Sequence, residues 1–332
     1  MIVRLIVVTL ALILAAFPAQ AASFDCAKAS SAFERAICDT PELSEKDEIL
    51  AKAYATALGG LSKQASDAVK AGQREWLHYA ERACTDDAEP LKGDYDDEGA
   101  GCLATLFAGR TRDLEESRMR SGRRVYMIDG YTVFPDPEAA DDAFAKVTTR
   151  QYSSARIDGD NEEARGFNAL METYDSQGGQ DSGEDASSDV VNTLKLDSIS
   201  DARISVRHDS WWYGHGAAHG NYGTSFIHYV TAEDRELAAG DIFKGDDWVA
   251  ALAELAFADL RRQLGEGMWP TSADELHEAV SDPARWNFAE RGLVVQFQPY
   301  EVTAYAAGAP TVLIAWEQLS EHLTDEAWGL IY

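Results

Sequence analysis

Residues 121–134 read SGRRVYMIDGYTVF, and this stretch divides the chain into two parts of different character. From Arg124 to Phe134 the residues alternate and are rich in Val, Tyr and Ile, which is typical of a β-strand. The Ser-Gly pair before them is a turn signal. The residues on the N-terminal side favour helices, and those on the C-terminal side mix strand and helix patterns. The sequence therefore predicts an α+β fold.

The first part, residues 22–120, has apolar residues spaced by three and four and is rich in Ala, Leu, Glu, Lys and Arg. Gly59-Gly60 and the acidic stretch 86–98 interrupt this pattern. We expect a helical bundle. Its helices are predicted near residues 28–38, 42–60, 62–84 and 99–120.

The second part, residues 123–332, is predicted to be a mixed α+β domain. A helix is expected near 246–264 and another is expected to begin near Trp316. The polar segment between Tyr174 and Asp189 has no apolar side chain larger than alanine, so it is expected to be a mobile loop. Besides 124–134, strands are predicted near residues 192–208, 223–231, 292–298 and 310–315.

All four cysteines lie in the first third of the chain, at Cys26, Cys38, Cys84 and Cys102. An even number in an exported protein predicts two disulfides. Three pairings are possible. Short loops favour Cys26 with Cys38 and Cys84 with Cys102, each stabilising by roughly 3 kcal/mol. The spacing lacks the C-x2-C pairs of structural zinc sites, the rival interpretation.

The N-terminus has the pattern of a secretory signal peptide over residues 1–21. Arg4 precedes an apolar run from Leu5 to Phe17, and Ala19-Gln20-Ala21 supplies small residues for cleavage. No later stretch approaches the roughly 20 apolar residues of a membrane-spanning helix. We therefore expect a periplasmic or secreted protein, soluble after cleavage and not inserted in a membrane.

The chain has 57 acidic and 29 basic residues, a formal net charge of -28. Nucleic acid is therefore not expected as a partner, because both surfaces would be anionic. The charge is consistent with simple solubility and equally with electrostatic attraction of a basic partner.

Several short motifs follow one another in the helical part. They are SFDCAKA (23–29), ERAIC (34–38), QREWL (73–77), CL (102–103), and the single residues Leu43, Asp47, Leu50, Tyr54, Arg82, Cys84 and Arg110. Together they resemble the N-terminal domain of the LprI-type lysozyme inhibitors. The chain departs from that pattern in its acidic insertion between Cys84 and Cys102, and in Ala80-Glu81 where an arginine is usual.

The second part carries another set of motifs. They are GHGAAHGN (214–221), DIF (241–243), WNF (286–288), GL (292–293) and FQPYEVTAYAAG (297–308). They resemble the RsiV-like domain, which senses lysozyme outside the cell in the anti-sigma factor RsiV and accompanies PdaC-type peptidoglycan deacetylases. The deacetylase domain has no counterpart in this chain, so the resemblance implies recognition without catalysis.

The residues predict no catalytic set, metal or cofactor. His208, His215 and His219 are close in sequence, but their spacing fits no zinc motif and no carboxylate ligand stands beside them. Asp158 and Asp160 lack the glycine and terminal glutamate of a calcium loop. No G-x-S-x-G elbow or phosphate-binding loop is present.

Two segments are candidate binding sites. Exposed aromatic side chains beside polar groups often anchor protein interfaces, although the same rings can equally pack internally. His219 and Asn221 are expected to shape a glycine-rich turn, with the imidazole hydrogen-bonded inside it. The candidate residues are Trp211, Trp212, Tyr213, His219, Asn221, Pro299, Tyr300, Glu301 and Tyr305.

These patterns lead to two hypotheses about function. The first is a soluble binding protein that captures or inhibits a lysozyme-like muramidase, with an acidic loop or Glu301 facing the enzyme's cationic rim. The alternative is a non-catalytic module that binds peptidoglycan, in which Trp211 and Trp212 stack on sugar rings.

Overall fold

The computed structural model describes residues 22–140, 145–178 and 187–332. The expected signal peptide and most of the segment predicted to be a mobile loop lie outside these residues. Among the described residues, no helix is long and apolar enough to cross a lipid bilayer.

The helices of the described residues fall into an N-terminal group of four, one helix inside the sheet region, and a C-terminal group. They are α1 (Ala32–Asp39), α2 (Pro41–Leu58), α3 (Lys63–Ala83), α4 (Asp97–Glu115), α5 (Glu162–Gly178), α6 (Ala239–Ile242), α7 (Trp248–Leu264), α8 (His277–Ser281), α9 (Trp316–Leu319) and α10 (Ala327–Ile331).

The strands form two sheets. A seven-stranded sheet contains β1 (Met119–Arg120), β2 (Arg123–Pro135), β3 (Val147–Asp158), β4 (Ser188–Ile199), β5 (Arg203–Gly214), β6 (Asn221–Val230) and β7 (Arg235–Glu236). A three-stranded sheet contains β8 (Trp286–Ala289), β9 (Gly292–Gln296) and β10 (Thr311–Ala315). The α+β fold class is confirmed.

The large sheet follows chain order, and its neighbouring strands are antiparallel except at one position. Strands β3 and β4 are parallel, with α5 in the connection between them. Helix α5 packs Phe167 and Met171 against one face of the sheet. The helical bundle and the C-terminal unit cover the other face, since Lys195 of β4 pairs with Asp113 of α4 and His228 of β6 contacts Phe288.

Both predicted disulfides are present, Cys26–Cys38 and Cys84–Cys102. In the first, Cys38 lies in the last turn of helix α1, which begins with a capping box between Ser31 and Glu34. Trp76 of α3 is 1% exposed and meets Phe107 of α4 edge to face in the core of the bundle. The four helices expected in this region are present.

Several predicted boundaries were wrong. The single strand predicted near 192–208 is two strands, because Ser200 makes a turn in which its hydroxyl accepts the amides of Ala202 and Arg203. The last bundle helix ends at Glu115 rather than 120, where the chain enters β1. Strand β3 and helix α5 were not predicted.

A buried ion pair joins the helical bundle to the sheet. Arg110 of α4 and Asp129 of β2 are 2.6 Å apart, with side chains 0% and 1% exposed. Arg110 also donates to Gln73 of α3 and to the Tyr131 hydroxyl, while Asp129 accepts from Ser153 of β3. Both charges thus have further partners, which a buried pair needs to offset its desolvation.

Helix α3 approaches this pair at Gly72. A Cβ placed there would lie 3.3 Å from a carboxylate oxygen of Asp129. Glycine therefore allows the helix to pass directly over the ion pair, at the usual cost of glycine inside a helix.

A second buried polar chain joins the sheet to the C-terminal unit. Arg203 donates to the Ser205 hydroxyl, which lies 2.7 Å from Nδ1 of His228. Nε2 of His228 lies 2.9 Å from the Trp286 carbonyl and donates to it. Burial, with the nearby Arg203 charge, lowers the pKa of His228 to about 3. The imidazole is therefore neutral in the folded protein.

Replacing Asp129 by Ala should lower the free energy of unfolding by about 3–5 kcal/mol, because Arg110 would stay buried without its counter-charge. Urea denaturation measures this loss. The exposed pair Glu48–Lys52 is the control, and Glu48→Gln should cost less than about 1 kcal/mol. A loss below about 1 kcal/mol for Asp129→Ala would contradict the role given to the pair.

The pKa of His228 makes stability depend on pH. The unfolded chain takes up a proton near the ordinary histidine pKa of about 6.5, whereas the folded protein does not until about pH 3. Stability should therefore fall as the pH drops below about 6.5, by up to roughly 1.4 kcal/mol per pH unit from this group.

Denaturant midpoints measured between pH 7 and pH 5 test this slope. The variant His228→Gln should be less stable at pH 7 and should lose less on acidification. Exposed His78 on α3 gives the control variant His78→Gln, which should keep the slope of the parent. An unchanged slope in His228→Gln would refute the assignment.

Candidate functional site

Strand β5 carries three of the candidate aromatic residues, and its pleat separates them. Trp211 and Tyr213 lie on one face with ring centroids 6.2 Å apart. Trp212 lies on the other face, beside Gly214, where a Cβ would touch the indole ring. The tandem tryptophans therefore do not form one continuous platform.

The glycine-rich turn after β5 is held by His215. Its Nδ1 hydrogen-bonds to Asp136, which also accepts from the Ser187 hydroxyl at 2.7 Å. Its Nε2 lies 3.3 Å from Asp189, in a geometry that does not make a hydrogen bond. Gly216 adopts a φ of +83°, as expected for a glycine that a tight turn requires. The turn thus has a fixed shape.

The segment 297–308 is a second fixed loop. The Glu301 carboxylate accepts from the Gln298 amide at 2.5 Å and lies 3.2 Å from Arg285. Tyr300, which lies between Gln298 and Glu301 in the chain, has a φ of +65°, which is uncommon for a residue with a side chain. The residue is 48% exposed. Glu301 therefore positions the loop, and the strained backbone presents Tyr300 to the solvent.

Three contacts join this loop to the turn and to β6. The Gln298 side-chain amide pairs with both backbone groups of Thr224, donating at 2.6 Å and accepting at 3.0 Å. The Tyr305 hydroxyl donates to the Gly220 carbonyl at 2.6 Å. Nε2 of His219 lies 3.1 Å from the Tyr300 hydroxyl. Residues that are 74 to 85 positions apart in the sequence therefore form one surface.

His219 does more than close its own turn. Nδ1 donates to the Gly220 carbonyl at 2.8 Å, as the expected hydrogen bond inside the turn requires. Because a carbonyl only accepts, Nδ1 is the donor of that bond, and Nε2 is placed to accept a hydrogen bond from the Tyr300 hydroxyl. The ring also stacks on Tyr305 with centroids 4.0 Å apart.

Five connected rings lie on this surface, and we call them the aromatic strip: His219, Tyr222, Trp269, Tyr300 and Tyr305. Beyond the His219–Tyr305 stack, centroid distances are 5.3 Å for Tyr300–Tyr305, 6.0 Å for Tyr222–Tyr305 and 6.4 Å for Trp269–Tyr300. Tyr222, Trp269 and Tyr300 are each more than a third exposed. Rings held in place by one another lose little entropy on binding, which suits a protein interface.

A cleft of about 480 Å³ lies beside the strip. Trp211, Trp212, Asn221 and Pro299 contribute to its lining. The structure therefore places most candidate residues around one strip and cleft. Tyr213 stands apart, with its hydroxyl 3.4 Å from the Ala217 carbonyl.

Three residues of this surface were not predicted from the sequence as site residues. Tyr222 follows the turn directly, and Trp269 lies in a Gly- and Pro-flanked loop, where the lack of helical spacing is a signal of exposure. The third, Gln298, connects the loop 297–308 to β6 and does not itself offer a ring to a partner. Only the fold shows that Trp269 meets Tyr300.

The three histidines have separate partners. His208 lies 3.4 Å from the Asn192 side chain, and burial lowers its pKa. Among the described residues, no three His, Cys, Asp or Glu side chains are grouped so as to hold a metal ion. The segment with Asp158 and Asp160, considered above as a calcium loop, has structural contacts as well. Asp158 accepts hydrogen bonds from the amide and hydroxyl of Ser62, and the Asn161 side chain accepts one from the Ala164 amide.

Gln298→Leu should loosen the connection between the loop and β6. The Thr224 amide donates to the Gln298 side chain, so its hydrogen exchange should accelerate about five- to tenfold when that acceptor is lost. Exchange followed by NMR measures it. Gln318→Leu, at an exposed glutamine on α9, is the control, and equal rates in the two variants would contradict the connection.

Comparison with known proteins agrees with the resemblances described above for the two parts of the sequence. Residues 26–114 match the family model described as "Lysozyme inhibitor LprI", and residues 240–317 match "Protein of unknown function (DUF3298)". Neither description names an enzyme. No curated protein matches the chain.

Two solved structures of DUF3298 family proteins are similar to this chain. One, from Bacteroides fragilis, is 16% identical, covers 63% of this chain and 97% of its own, and has a TM-score of 0.44. The other, from Pseudomonas aeruginosa, is 14% identical, with coverages of 62% and 96% and a TM-score of 0.43. The two family models therefore match an LprI domain at residues 26–114 and a DUF3298 domain at residues 240–317.

Proposed function

We propose that this protein is a periplasmic or secreted lysozyme-binding protein that inhibits lysozyme-like muramidases by occupying them, without chemistry of its own. The observation that carries the proposal is the disulfide-tied helical unit, which matches the lysozyme inhibitor LprI over residues 26–114. Disulfides persist in the oxidising compartments where such enzymes act, which supports the proposed location.

The charge of the LprI domain suits a basic partner. Residues 86–98 hold seven carboxylates and one lysine, and all of these charged side chains are exposed. Asp86 pairs with Lys146, next to β3, and Asp94 pairs with Arg35 of α1. Many lysozymes are strongly basic, and opposite charge raises association rates by about 10- to 1000-fold at low salt.

The aromatic strip would supply the short-range contact. Trp269 and Tyr300 are 51% and 48% exposed, and buried aromatic anchors account for most of the binding energy of protein interfaces. Glu301 is a weaker candidate for facing a cationic rim, because its carboxylate already holds Arg285 and the Gln298 amide. We therefore assign contact to the rings and attraction to residues 86–98.

The alternative, a peptidoglycan-binding module, was suggested by the Trp211-Trp212 pair. The two indoles project from opposite faces of β5, so they do not form one continuous stacking platform, although both contribute to the lining of the cleft. The lysozyme proposal needs no such platform.

The mature protein should slow the lysis of cell walls by at least one basic lysozyme, and biosensor binding should weaken as salt rises. The triple variant Glu89→Gln, Asp97→Asn, Glu98→Gln should bind more slowly. The control Glu254→Gln, Glu266→Gln, Glu278→Gln makes the same charge change in the C-terminal unit and should leave the association rate close to that of the parent.

Trp269→Ala tests the anchor separately and should raise the dissociation rate with little effect on association. Trp328→Ala, at another exposed tryptophan, is its control. No binding to any of several lysozyme types at low salt would refute the proposed function. Equal effects of the two tryptophan variants would refute the strip as the contact.

A further inference from the structure

The C-terminal unit has a second surface, formed by residues that do not belong to the aromatic strip. A groove of about 880 Å³ lies between the tip of the β8–β9 hairpin, the end of β10 and helix α10. Its size falls within the range of ligand pockets, about 300–1,000 Å³. We call it the C-terminal groove.

Two exposed rings form its aromatic wall. Trp328 and Tyr332 are 43% and 61% exposed, and their planes differ by only 5°. Their centroids are 5.9 Å apart, too far for face-to-face contact, so the rings are displaced sideways and present parallel faces. Trp316 is buried against Trp328 at 73°, which fixes the orientation of the wall.

Hydrogen bonds hold the groove open. The Tyr332 hydroxyl donates to the Glu290 carbonyl at 2.9 Å, and the Trp316 indole donates to the Ala289 carbonyl at 3.0 Å. Both bonds connect the C-terminal segment to the hairpin tip. The rings are therefore ordered before any ligand arrives, which lowers the entropy cost of binding.

Unpaired charged groups line the same groove. Glu290, Arg291 and Glu317 are exposed, and none of the three forms an ion pair with a described residue. Together with Gln318 they offer carboxylate acceptors and guanidinium and amide donors. Both signs of charge are present, so the groove is not a simple attractor for one kind of ion.

We propose that the C-terminal groove binds an oligosaccharide. A sugar ring has an apolar face of C–H groups that packs on an aromatic ring, and an edge of hydroxyls that needs both donors and acceptors. Parallel exposed rings beside Glu290, Arg291 and Glu317 match both requirements. A single ammonium group would need a much smaller cage than this groove of 880 Å³. A partner helix with charges of one sign would leave the groups of the same sign in the groove without partners.

This inference does not depend on lysozyme binding. It places glycan recognition on α10 and the β8–β9 hairpin, whereas the proposed muramidase contact lies on the aromatic strip. A protein with both sites could hold a cell-wall glycan and the enzyme that cleaves it.

Titration of the mature protein with chitotriose, cellotriose and maltotriose, followed by tryptophan fluorescence and calorimetry, tests the groove. At least one sugar should bind. Trp328→Ala or Tyr332→Ala should raise the Kd for that sugar about tenfold or more, because each variant removes a stacking face. Trp269→Ala is the matched control, because it removes a tryptophan that is at least as exposed as Trp328 from the aromatic strip and should leave the Kd for the sugar unchanged.

Three results would overturn the proposal. One is the absence of binding to all three sugars at millimolar concentration. Another is an equal loss of affinity in Trp269→Ala, which would place the sugar elsewhere. The third is a shift from dimer to monomer on Trp328→Ala with no sugar binding by the parent, which would make the groove a contact between copies of the chain.

Discussion

The buried pair of Arg110 and Asp129 is the constraint on which the joining of the two parts depends. A guanidinium and a carboxylate without solvent contact are costly unless each has its partner, so α4 and β2 have little freedom to separate. Gln73, Tyr131 and Ser153 extend the network from α3, β2 and β3. The bundle is therefore attached to the sheet by a directional contact, and not only by the apolar core that Tyr126 and Tyr131 share with the helices.

The C-terminal unit is joined to the same face of the sheet by the same kind of contact. The chain from Arg203 through Ser205 and His228 to the Trp286 carbonyl has one arrangement in which every member is satisfied. The Gln298–Thr224 pair extends this attachment along β6. Because the Gln298–Thr224 pair fixes the loop 297–308 relative to β6, the rings of the aromatic strip meet in one orientation. The strip thus depends on packing well outside it.

The sequence predicted the features that local physics decides. Cysteine spacing predicted both disulfides, and helical periodicity predicted the four bundle helices. Strand β3 was missed because it has few apolar residues, and its polar residues Ser154 and Arg156 look like surface residues although both are buried and Arg156 pairs with Asp175. The candidate site shows the same limit. Its rings were visible as aromatic residues in loops, but the Trp269–Tyr300 contact depends on a Thr303 hydroxyl bond to the Gly267 carbonyl between distant loops.

Charge and rings act over different distances. Exposed carboxylates are screened beyond about 8 Å at physiological salt, so a net charge of -28 affects the encounter more than the contact itself. The rings act only on touching, and their rigidity is what makes that contact favourable. The acidic segment 86–98 lies on the LprI domain, whereas both aromatic surfaces lie on or beside the C-terminal unit. In the proposed function, capture and anchoring therefore belong to different parts of the chain, and the attachment of both parts to one face of the sheet would let them act on one partner.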